Sequence, residues 1–140
     1  MTGVVACAAP TPTLGGFGTA QIEVGEQRLT VAVAETSSQR SQGLRGVGAL
    51  PEGIDGMLFA YGEPAMATFG MRDTLIPLEI WWFDGEGRLL GSTDMEPCSA
   101  TPCMGYASPG EIAWALETPS GELHFAPGDT LRVIGASARR

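Results

Sequence analysis

Hydrophobic and polar residues alternate with period two in two early segments, Gln21-Ile22-Glu23-Val24 and Arg28-Leu29-Thr30-Val31-Ala32-Val33-Ala34. A strand sends successive side chains to opposite faces, so this pattern predicts two strands, with Leu29, Val31 and Val33 on the core face. Gly25-Glu26-Gln27 between them suits a hairpin turn. Thr36-Ser37-Ser38-Gln39 then fits a capping box, with a hydroxyl at the cap and an amide side chain three residues on. The helix it opens runs through Arg40 to about Leu44. Gly43 and Gly46 mark its end, and Leu44 is its apolar anchor.

From Gly56 onward, short apolar runs are separated by turn residues. Gly56 to Tyr61, Met66 to Phe69 and Leu78 to Phe83 read as strands. Asp84-Gly85-Glu86-Gly87 is a tight hairpin turn, from which Arg88 to Thr93 returns. A calcium loop would need more oxygens at set spacings than these two carboxylates supply. After a Pro/Cys-rich loop from Pro97 to Pro109, further strands are predicted at Ile112 to Glu117, Glu122 to Phe125 and Leu131 to Ile134. Many short strands, one short helix and regular turns predict a mainly β fold, a sandwich or barrel.

Composition narrows the compartment and the partners. A chain of 140 residues fits one domain. The expected division is a tether over residues 1–18, a single β-rich domain over 19–136, and a tail over 137–140. Net charge is −8, and all eight basic residues are Arg. Nucleic-acid binding needs a basic footprint, so it is not expected. Anionic lipid headgroups are disfavoured as direct partners for the same reason. No apolar run approaches the roughly 20 residues of a spanning helix. Val4-Val5-Ala6-Cys7 resembles the lipobox of bacterial lipoproteins, in which the Cys is lipidated. Only Met1-Thr2-Gly3 precede it, so this reading expects a start codon further upstream. Ala8 to Gly16 would then be a flexible tether.

A larger resemblance runs through the ordered pieces Thr36, Gln39-Arg40, Gly43-Leu44, Leu50-Pro51 and Gly56-Met57-Leu58-Phe59. It continues through Phe69 to Asp84, Met95-Glu96-Pro97-Cys98, Cys103, Tyr106 and Ser108. The string Phe69-Gly70-Met71-Arg72-Asp73-Thr74-Leu75-Ile76-Pro77-Leu78 is its most specific part. Together these resemble the bacterial and archaeal domain-of-unknown-function 192 family, over roughly residues 28–134. The resemblance implies a jelly-roll-like, often exported domain, and no activity. Two departures stand out. Gly70 occupies a place where relatives commonly carry Trp. The usual helical insert before the final Gly-Asp turn is shortened to Glu122 to Ala126.

Several constellations could carry chemistry. Four residues separate Cys98 from Cys103, which allows a disulfide across a loop and an oxidising compartment. The odd cysteine, Cys7, fits lipidation. The alternative for the thiols is a soft, copper-type metal site using Met95, Cys98, Cys103, Met104 and His124. Met71, Arg72, Asp73, Thr74, Glu79 and Trp81 form the candidate ligand surface, with Arg72 as a fork donor. A structural reading of the same residues pairs Arg72 with a carboxylate such as Glu79, and has Asp73 and Thr74 hold the turn. Ile80 and Trp82 share one strand face, and Glu79, Trp81 and Phe83 the other. One aromatic face is core; the other lies under a loop or offers a stacking platform. No Gly-x-Ser-x-Gly elbow accompanies the single histidine, His124, so support for a hydrolase is poor.

The sequence therefore predicts an exported, envelope-associated, monomeric binding or accessory domain without a cofactor. Its partner would be a small molecule, a sugar or an envelope protein, and a membrane would be touched only through an N-terminal lipid. A soft-metal protein and a hydrolase are the alternatives.

Overall fold

The early alternation folds as expected into an antiparallel hairpin, β1 (Gly18–Val24) and β2 (Gln27–Ala34). The computed structural model describes residues 13–136. A crossover follows, containing the helix α1 (Ser37–Gln42), and returns as β3 (Gly56–Ala65), parallel to β2. Next come β4 (Thr68–Gly70), β5 (Leu78–Phe83), β6 (Leu89–Met95), β7 (Gly105–Ala107), β8 (Ile112–Pro119) and β9 (Leu131–Ala136). Seven strands form one mixed sheet in the order β6-β5-β8-β3-β2-β1-β9, and β4 pairs with β7 in a separate two-stranded ribbon.

The sheet is buried on both faces. Ile22, Val24, Leu29, Val31, Leu58, Trp81, Phe83 and Leu116 pack on one side, closed over by Phe125 and Leu131. Ala32, Ala34, Met57, Phe59, Ile80, Trp82 and Ala115 pack on the other, under Leu44, Phe69, Met71 and Met95. Double coverage explains why β3 and β5 read as continuous apolar runs while only the outer hairpin alternates cleanly. Trp81 and Trp82 are both core residues, one in each cluster.

Both edges of the sheet meet at one end. Arg88 and Thr130 form an isolated antiparallel bridge, and the Leu131 amide donates to the Gly87 carbonyl at 2.8 Å. Gly87 has φ 83°, and a Cβ there would lie 2.5 Å from the Leu131 carbonyl oxygen, so glycine permits the approach. One bridge does not close the sheet into a barrel, and the strand order does not confirm a jelly roll. The mainly β class with one short helix is what the structure shows.

Local expectations fare unevenly. Both arms of the capping box form: the Gln39 amide donates to Thr36 Oγ1 at 3.0 Å, and the Thr36 amide to Gln39 Oε1 at 3.1 Å. Asp84 holds its hairpin by accepting from the amides of Glu86 and Arg88, each at 2.9 Å, so its carboxylate is a turn cap. Glu122 to Phe125 is not a strand. Gln27 Nε2 holds the His124 carbonyl at 2.7 Å, and Phe125 turns inward onto Trp81. β7, inside the Pro/Cys-rich loop, had no periodic signal. Phe17 is buried and Leu14 packs against the same core, so the chain joins the fold before residue 18.

Gly56 sets the spacing between β3 and β8. A Cβ there would lie 2.3 Å from the Glu117 carbonyl oxygen, a backbone atom that cannot swing aside. Gly56→Ala should cost about 2 kcal/mol or more in urea denaturation, whereas Gly62→Ala, with nothing within 4 Å, serves as a neutral control. Thr36→Ala should cost about 1 kcal/mol through loss of the cap.

Candidate functional site

The six residues of α1 bury none of their side chains. A packed helix would lay an apolar stripe on the sheet; this one presents Ser37, Arg40 and Ser41 to it. A cavity of about 350 Å³ remains between them. Its walls come from α1 and the loop after it (Ser37, Arg40, Ser41, Gln42, Arg45), from β4 (Thr68, Phe69, Gly70), and from Thr74. Phe59 and Tyr61 of β3 and Glu117 of β8 complete the lining.

Glu117 is the unusual member. It sits in the middle of the sheet, opposite Met57 on β3 and Ile80 on β5, where neighbouring positions are apolar. It is 4% exposed and has no hydrogen-bond or ion-pair partner among the described residues. Burial pushes its carboxyl up to about 8, so it is largely protonated at neutral pH. Burial also raises the Tyr61 phenol, with Arg40 opposing the shift and Glu117 adding to it.

Arg40 joins the helix to the floor. Its Nη1 donates to the Glu35 carbonyl at 2.7 Å and to the Ala60 carbonyl at 3.0 Å, and its guanidinium lies 4.7 Å from the Tyr61 ring centroid. The charge pattern around it is distinctive. Of the six described arginines, Arg28 and Arg132 pair with Glu23, Arg72 with Asp73, and Arg88 with Asp84 and Glu86. Arg40 and Arg45, which line the cavity, have no ion pair among the described residues.

Only Thr74 of the six expected ligand residues reaches this cavity. Met71 is buried in the core. Arg72 is 59% exposed at its side chain and faces Asp73 at 3.8 Å, not Glu79. Trp81 is buried on the opposite face of the sheet, with Nε1 donating to Thr118 Oγ1 at 3.2 Å and its ring edge-on to Phe125 at 4.7 Å. It is therefore covered by a loop and offers no platform. Glu79 shares that opposite face, where burial and the neighbouring Asp94 raise its carboxyl.

The Met71–Thr74 turn is instead a backbone junction. The Thr74 amide donates to the Met71 carbonyl at 3.0 Å, the Asp73 amide to the Cys98 carbonyl at 2.9 Å, and the Gly46 amide to the Asp73 carbonyl at 2.9 Å. Asp73 has φ 58°, a conformation that Asp tolerates better than most residues. Cys98 and Cys103 form a disulfide with Cα atoms 5.9 Å apart. The soft-metal set is not assembled: both its cysteines are oxidised, Met95 is buried in the core, and Met104 is 68% exposed. His124 is exposed and outside the cavity. No group of three or more His, Cys, Asp or Glu suited to a metal occurs among the described residues. Cys7 lies outside them.

Arg40, Arg45, Tyr61 and Glu117 are not candidate site residues by sequence pattern, and Arg40 figures there only in the helix and the family resemblance. Glu117 carried a usable signal, because a carboxylate ends the apolar run Ile112 to Leu116 in phase with Ala113 and Ala115. The cavity around it depends on long-range convergence, for which the linear pattern holds no mark.

Comparison with known proteins agrees with this fold. A crystal structure of a "putative transcription regulator" from Sinorhizobium meliloti 1021 is 26% identical, with a TM-score of 0.75, covering 84% of this chain and 95% of that one. A protein of unknown function from Novosphingobium aromaticivorans DSM 12444 is 27% identical, also with a TM-score of 0.75, covering 94% of this chain and 99% of that one. Curated proteins yield no match. The DUF192 family profile, described as an uncharacterized ACR, matches residues 20–133, and the chain belongs to that family.

Proposed function

We propose that this protein is a non-catalytic binding domain of the cell envelope that holds a small polar molecule in the cavity beneath α1. The observation that carries the reading is Glu117. A lone buried carboxyl is costly unless something hydrogen-bonds it, and here it lines an open cavity of ligand size. A bound molecule would supply the missing partner. The disulfide and the family resemblance support export, and Cys7 remains the residue for a lipid anchor. Transcription regulation, the role named for one structural relative, has little support here if it requires direct nucleic-acid contact: the chain is net acidic and most of its described arginines are ion-paired. Glu117 also supports a second reading, general-acid catalysis, since a carboxyl protonated near neutrality can donate a proton to a bound substrate.

Gly70 offers a clean test. It lines the cavity, and a Cβ there meets nothing within 4 Å, so Gly70→Trp should obstruct the cavity without disturbing the fold. In a thermal-shift screen of metabolite-sized compounds, ligands that raise the wild-type Tm should lose that effect in Gly70→Trp and weaken in Glu117→Gln. Undiminished binding by both variants would place the ligand elsewhere. Turnover of a bound compound that is abolished in Glu117→Gln would favour the catalytic reading.

Protonation of Glu117 also predicts a pH signature. Its folded value, about 8, lies above the ordinary 4.5, so folding takes up a proton. The associated stability is complete below pH 4.5 and is lost as pH rises toward 8. Denaturant titrations should show Glu117→Gln gaining on wild type across this window, by at most about 5 kcal/mol. A constant difference would show that Glu117 is not the buried acid described.

A further inference from the structure

The two unpaired arginines narrow the class of ligand. Four described arginines lie away from the cavity, and each has a carboxylate partner. The two that line it have none. Among the described residues of this chain of net charge −8, this leaves unpaired positive charge beside the cavity. The lining holds one carboxyl, Glu117, whose proton removes its negative charge at neutral pH.

We infer that the cavity takes a small organic anion, with its carboxylate toward Arg40 and Arg45 and a polar group against Glu117. This rests on the reading that the cavity binds a ligand. Arg40 Nη1 is committed to the Glu35 and Ala60 carbonyls, which leaves its other guanidinium nitrogens for the anion. Guanidinium groups suit carboxylates because parallel N–H donors match two oxygens. Ser37 and Ser41 from α1 and Thr68 from β4 add hydroxyls to the lining. The cavity is at the small end for ligand sites, which suits a small anion.

The titratable and charged groups lining the cavity with Glu117 are Arg40 from α1, Arg45 from the following loop and Tyr61 from β3. None comes from β4. Raising the pH through the upper end of the Glu117 window therefore introduces a negative charge beside the bound anion. Affinity should fall there, and Glu117→Gln should remove the fall.

Arginine Nε–Hε resonances of the full chain report this directly. Titration with succinate should shift Arg40 and Arg45 saturably, with Kd on the order of 1 mM or tighter, and leave Arg28, Arg72, Arg88 and Arg132 in place. Succinamide, its neutral analogue, should produce no saturable shift. Inorganic phosphate separates carboxylate preference from general oxyanion binding, and equal or tighter phosphate binding would overturn the carboxylate assignment. Arg45 is exposed, so Arg45→Gln should fold normally and weaken succinate at least about threefold. Similar shifts at all six arginines would overturn the inference. So would saturable binding of succinamide, blocked by Gly70→Trp and as tight as that of succinate; that result would leave the cavity as a binding site for neutral ligands. If no probe moves Gly70, Thr74 or the two arginines, the anion assignment fails, and the compound screen decides the broader reading separately.

Discussion

A single carboxyl buried without a partner, Glu117 in the centre of the sheet, constrains much of what surrounds it. Its strand is hydrogen-bonded on both sides, which fixes the side chain at the cavity. The carboxyl stays protonated, and the polar face of α1 leaves room above it. An apolar helix docked in the same place would bury Glu117 completely and raise its cost further. The short, polar, well-capped helix is therefore matched to the acid beneath it. Its stability comes from the capping box and from Arg40, which ties it to β3, with Leu44 as the apolar anchor just beyond.

The most specific string of the chain serves the same arrangement in a different way. Its side chains do not converge on the cavity, but its backbone links three parts of the molecule. Met71 and Asp73 exchange hydrogen bonds with Cys98, whose disulfide closes the 98–103 loop. The Asp73 carbonyl holds Gly46, just beyond the cavity-lining Arg45. Thr74 and Gly70, at either end of the turn, are themselves wall residues. The string is thus a scaffold for one wall of the site, which accounts for its tight specification without making Arg72 or Asp73 a ligand contact.

The parts of this structure legible in the sequence are those set by local rules. Period two located β1 and β2, turn residues bounded β5, and the Thr36/Gln39 pair located the helix start. The spacing of Cys98 and Cys103 allows a disulfide, with a soft-metal site as the alternative, and the structure has the disulfide. What escaped depends on distant partners. β4 and β7 are three residues each and exist through their mutual pairing. Phe125 leaves strand geometry because Trp81 offers it a ring to pack against, which outweighs a local β preference. Strand alternation alone leaves the outer aromatic either under a loop or open as a stacking face, and coverage of the sheet on both sides decides for burial of Trp81.

Charge pairing separates the site from the rest of the surface more clearly than residue type does. With Arg as the only basic residue, each guanidinium alone says little. Their partners do distinguish them: Glu23 takes two arginines, Asp84 and Glu86 share one, and Asp73 takes another. Exposed pairs of this kind add little to stability, but they neutralise the field of each arginine locally. Among the described arginines, the charge left unpaired is at Arg40 and Arg45, in a cavity whose carboxyl is kept uncharged by burial. Neither half would suffice alone. An ionised Glu117 would offset one of the two positive charges, and paired arginines would leave the neutral acid facing an uncharged cavity. The combination makes the cavity selective for the sign of charge that the surface of this acidic protein repels.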